Sequence, residues 1–105
     1  MLTVKIKFRI VTMYIGIEGT DALKGEREST ATIIAPFDLS GMNHDQALDE
    51  ISLYYLAGVA ESLGDADDTD VFFKKYAGVR TLCWYQDRKR TQMTFLQVMG
   101  YDIVG

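Results

Sequence analysis

The sequence predicts an α+β fold: an antiparallel sheet of about four strands in the order ββα(α)ββ, with one long helix packed on one face and room for a short second helix. Three observations predict it. Apolar and basic residues alternate strictly over residues 4–10, the period of a strand with one buried face. A helix-start signal at Asn43 opens a stretch of about twenty residues that is apolar at helical spacing. Two further β-rich stretches close the chain around a polar turn.

Taken in order, Val4, Ile6, Phe8 and Ile10 alternate with Lys5, Lys7 and Arg9, and the apolar phase then slips to Val11, Met13, Ile15 and Ile17. A bulge or a sharp bend near Ile10 would reconcile the two halves. Lysine and arginine at every second position distinguish this stretch from the unbroken apolar centre of a signal peptide or membrane span. Residues 18–25 have turn composition and residues 29–37 are rich in β-branched residues, which predicts a hairpin closed by Pro36 at a strand end or edge.

Asn43 with Gln46 three positions later forms a capping-box pattern, and the helix is expected to run to about Leu63 with Gly64 as its stop. One apolar face carries Leu48, Ile51, Tyr55 and Val59, flanked by Ala47, Tyr54 and Gly58. A second stripe of Leu53, Leu56, Ala57 and Ala60 lies nearly opposite. One sheet face needs only one stripe, so the second is expected to meet either a short helix over residues 70–77 or another subunit. Residues 79–85 and 91–99 complete the sheet around the turn 86–90.

A chain of 105 residues supports one core, so residues 1–105 read as a single domain. With 48% hydrophobic and 25% charged residues it has the composition of an ordinary globular protein. The lone cysteine, Cys83, excludes an internal disulfide and points to a reducing, cytoplasmic setting, with no membrane partner expected. The lone histidine, His44, excludes histidine-pair metal sites, and no metal or cofactor is expected. The acidic run at residues 65–70 departs from a calcium loop, because Asp70 and Tyr76 stand where glycine and glutamate are required. One histidine, one cysteine and scattered carboxylates form no recognisable catalytic set, so no catalytic residue is assigned and an enzyme is disfavoured.

The net charge of −4 conceals a segregation. Residues 41–70 hold eight acidic side chains and no lysine or arginine, whereas residues 71–105 hold six basic and two acidic ones. The expected function is therefore that of a small interaction protein. In its most specific version it is an inhibitor or accessory factor that docks Asp45, Asp49, Glu61, Asp65, Asp67, Asp68 and Asp70 on a basic, nucleic-acid-binding protein surface. The alternative is a homo-oligomeric subunit assembled through Leu53, Leu56, Ala57 and Ala60, in which Leu56→Glu yields monomers. In that alternative Arg80, Arg88, Lys89 and Arg90 hold a phosphorylated ligand, a nucleotide or nucleic acid.

Overall fold

Strand β1 (Leu2–Tyr14) is the hub of the sheet, hydrogen-bonded on one side to β2 (Ala22–Ala35) and on the other to β5 (Gln92–Ile103). The structure, a computed structural model, describes residues 1–15, 22–64, 74–76, 78–85 and 91–105. Beyond β5 lie β4 (Thr81–Tyr85) and β3 (Lys74–Tyr76), so the antiparallel sheet has the order β2-β1-β5-β4-β3. Helix α1 (His44–Gly64) connects β2 to β3 across one face. This is the α+β arrangement expected. No helix among the described residues is long and apolar enough to cross a membrane.

Three local expectations change. Strand β2 begins at Ala22, because the long β1 offers a pairing partner through Tyr14 and overrides the turn-like composition of residues 22–25. Lys74–Tyr76, the end of the expected second helix, instead pairs with Leu82–Trp84 after Gly78, at φ 110°, reverses the chain. The phase slip in β1 has no bulge at Ile10. The irregularities lie in the neighbours, where Lys24 of β2 and Met99 of β5 are the extra residues. Ile10 and Val11 therefore sit on opposite faces of a regular strand, and Val11 and Met13 supply the face away from the helix.

The helix starts as its sequence demands. Gln46 N donates to Asn43 Oδ1 at 2.8 Å and Asn43 N donates to Gln46 Oε1 at 3.1 Å, a reciprocal capping box. Leu48, Ile51 and Leu56 then enter a core built with Val4, Ile6 and Phe8 of β1, Ala35 of β2, Leu82 of β4 and Leu96 and Val98 of β5. Each fully buried leucine or isoleucine contributes about 1.5–3 kcal/mol relative to exposure.

The two apolar stripes of the helix do not divide as expected. Leu56 is fully buried in the core and Ala60 is half-buried, whereas Leu53, Tyr54, Ala57 and Gly58 are exposed. A step of about 100° per residue puts Leu56 beside Ser52 and Leu63 on the sheet side, so Leu56 cannot serve a subunit interface and Leu56→Glu would break the core instead. Ser52, also fully buried, satisfies its hydroxyl by donating to Leu48 O at 2.6 Å.

Candidate interaction surface

Three of the charged residues singled out by sequence meet one another. Arg80 Nε donates to Asp49 Oδ1 at 2.6 Å, and its Nη2 lies 3.7 Å from Asp45 Oδ1 and donates to Asp45 O at 3.4 Å. The hydrogen bond to Asp49, aided by the charges of Asp49 and Asp45, raises the Arg80 pKa and holds it as a cation. Arg80 thus ties the loop before β4 to the first half of α1, so two of the expected partner-binding acids and one expected phosphate ligand are engaged within the chain. Glu61 is exposed. Asp65, Asp67, Asp68 and Asp70, like Arg88, Lys89 and Arg90, lie outside the described residues.

His44 and Cys83 stand on opposite faces of the sheet. The imidazole stacks on Tyr101, 5.1 Å between centroids, on the face that carries Ile6. Buried Cys83 pairs with Phe95, which pairs with Val11 on the other face. Among the described residues no group of histidine, cysteine and carboxylate side chains could hold a metal ion.

Two apolar surfaces remain. On the face away from the helix, Val11, Met13 and Phe95 line a shallow depression of about 350 Å³. Its rim is braced by Arg9, which donates to Glu26 at 3.2 Å and to Gln97 at 2.9 Å. All three apolar side chains are already half-buried.

The second surface is more open and better formed. Strand β2 is an edge of the sheet, and among the described residues nothing pairs with its outer side. Natural edges are defended by charge, proline, bulges or shortness. Here the bulge at Lys24 and the charges of Lys24, Glu26, Arg27 and Glu28 defend the first half, and Pro36 ends the second. Between them the seven residues 29–35, Ser-Thr-Ala-Thr-Ile-Ile-Ala, carry no charge and no proline. Thr30 and Thr32 are exposed, and Ile34 is 60% exposed. At the opposite edge, β3 covers Lys74–Tyr76 among the described residues.

Above this window lies a groove of about 540 Å³ between Ile33 and the flank of α1 formed by Tyr54, Ala57, Gly58 and Ser62. The helix is wide here only at Tyr54, whose ring meets Phe37 edge-on at 5.5 Å. One turn on, Gly58 leaves the wall bare, and a Cβ built there meets nothing within 4 Å. Glycine in a helix interior costs about 1 kcal/mol relative to alanine. Among the described residues no close packing requires it.

Tyr55, at the back of the groove, packs against Phe8 at 5.8 Å between centroids. Burial raises its pKa above the ordinary value of 10.0. Between the unfolded and folded values the unfolded chain has released this proton while the folded chain retains it, so stability falls as pH rises through that window. Tyr55→Phe is expected to lack this part of the decline. Unfolding free energies of the two proteins should therefore diverge above about pH 10 in favour of the variant, and parallel curves would show that Tyr55 is not the group concerned.

Neither the edge nor the groove was found from sequence. The usable signals were the uncharged window between the charged residues 26–28 and Pro36, and Gly58 inside a helical pattern. Family models, curated proteins and solved structures offer no match to this chain, so its function has to be read from its own surfaces.

Proposed function

We propose that this chain is a protein-interaction module that takes an extended apolar segment by strand addition along the outer edge of β2. The observation that carries the reading is the coincidence of an undefended seven-residue edge with an open groove directly above it. In strand addition, main-chain hydrogen bonds along the edge give affinity and pockets for alternate side chains give specificity. A strand laid beside residues 29–35 would place every second side chain on the face that carries Ile33, one of them beneath the bare flank at Gly58. The acidic middle of the chain, with its eight carboxylates, supplies a negative field that attracts basic partners and raises the rate of encounter. An inhibitor or accessory factor would work in this way, by occupying a strand or edge that its target needs.

Selection from a displayed library of random peptides tests the reading whatever the natural partner is. Enriched peptides should alternate apolar and polar positions, and their binding should fall tenfold or more on Gly58→Leu, which fills the groove while favouring the helix. Binders indifferent to Gly58→Leu, or a protein that is monomeric and yields no binder, would overturn it.

A further inference from the structure

The edge is suited above all to one occupant. We infer that two copies of this chain pair β2 against β2, antiparallel about a two-fold axis, forming one ten-stranded sheet with both helices on the same face. This inference rests on the strand-addition reading and names the partner.

Three features of the molecule favour a second copy. Antiparallel pairing of a strand with itself is isologous, so it closes at two subunits and leaves no further binding edge of the same kind. Among the described residues, the product would have the two copies of β3 as its outer sheet edges. The long undefended edge would be gone.

Charge is the second feature. Side chains match face to face only if the axis passes through a residue, because faces alternate along a strand. With the axis at Ala31 or Thr32, in the middle of the window, Glu26 and Glu28 lie opposite uncharged residues or beyond the strand end, and no like charges face each other directly. An axis at Arg27 or Glu28 would set glutamate against glutamate, or Glu28 against itself, which is unfavourable in a cross-strand pair. An axis within the uncharged window thus avoids this repulsion.

The third feature is the groove. A two-fold perpendicular to the sheet turns the Gly58 flank of each helix toward the seam, so the two grooves of about 540 Å³ face one another. The strand spacing of about 4.8 Å places the two β1 strands roughly 14 Å apart. That is wide enough for two helices at the usual spacing of 8–10 Å, with side chains between them. Tyr54, exposed in the single chain, then has apolar surface on both sides, and the missing side chain at Gly58 is the room it enters.

Native mass spectrometry and sedimentation over a concentration series test this on the full chain. Thr30 and Thr32 are exposed, so charges there leave the fold intact. The unaltered protein is expected to be a dimer. Thr30→Lys with Thr32→Lys should weaken dimerisation by on the order of tenfold or more, as like charges gather at the seam, and Thr30→Glu with Thr32→Glu should do the same. Mixing the two variants should restore a dimer made of one copy of each, which also shows that both are folded. A dimer indifferent to these substitutions would place the interface elsewhere and overturn the inference. A monomeric protein that still binds selected peptides in a Gly58-dependent way would overturn self-pairing alone. A monomer that binds none would overturn the strand-addition reading with it.

Discussion

Leu56→Ala is expected to destabilise the protein by about 2–5 kcal/mol, whereas Leu53→Ala, three residues earlier, is expected to change stability by no more than about 0.5 kcal/mol. Leu56 is fully buried between α1 and the sheet, among Ile51, Leu82 and Leu96, and its truncation leaves a cavity that close-packed neighbours relax into only in part. Leu53 is 39% exposed on the outer side of the helix. Urea denaturation of both variants gives the two values directly, because each should shift the midpoint without changing the slope. Leu56→Glu should fail to fold, since it buries a carboxylate that has no partner in this core. Similar costs for Leu53 and Leu56 would mean that the helix is rotated from the orientation described.

Gly58→Ala is expected to stabilise the chain by about 1 kcal/mol, raising the melting temperature by about 4 °C or more. The gain follows from helix propensity, and nothing within 4 Å opposes the added methyl. Larger side chains should reverse the benefit where it matters. Gly58→Leu keeps the helix but fills the wall of the groove, so binding at the β2 edge should fall tenfold or more while the melting temperature does not. A residue that can be improved for stability and not for binding is one retained for its surface, a trade commonly seen at functional sites. Thermal melts and peptide titrations of the two variants separate the effects. A drop in stability on Gly58→Ala would show that the glycine serves the fold.

Legibility of this fold in its sequence followed the strength of local signals. The capping box at Asn43 and Gln46, the alternation at Val4, Ile6 and Phe8, and the strand end at Pro36 are short-range patterns, and each appears where its residues place it. Helix orientation was less legible, because α1 is apolar nearly all round in its second half. The identity of the residues could not decide between Leu56 and Tyr54 for the sheet side. Packing decided it, with Arg80 drawing Asp49 toward β4 and Tyr55 meeting Phe8. The Arg80 pairs join positions 31 and 35 residues apart, and charge counting along the chain separated groups that the fold brings together.

The candidate site was the least legible part, for a physical reason. An edge is a property of strand order, and β2 became an edge only because β1 chose β5 as its second neighbour. The same residues 29–35 in a central strand would be unremarkable β-formers. The groove likewise needs Ile33 and Gly58, 25 positions apart in sequence, to lie side by side.

Hydrogen–deuterium exchange of the backbone of residues 29–35 tests most directly whether the β2 edge is the working surface. In an unoccupied edge strand, the amides turned away from β1 have no partner and exchange quickly. If the edge pairs, these outward amides should be protected at high protein concentration or with a selected peptide bound, and should lose that protection on dilution. Outward amides that exchange at unprotected rates at every concentration, with peptide present or absent, would contradict it.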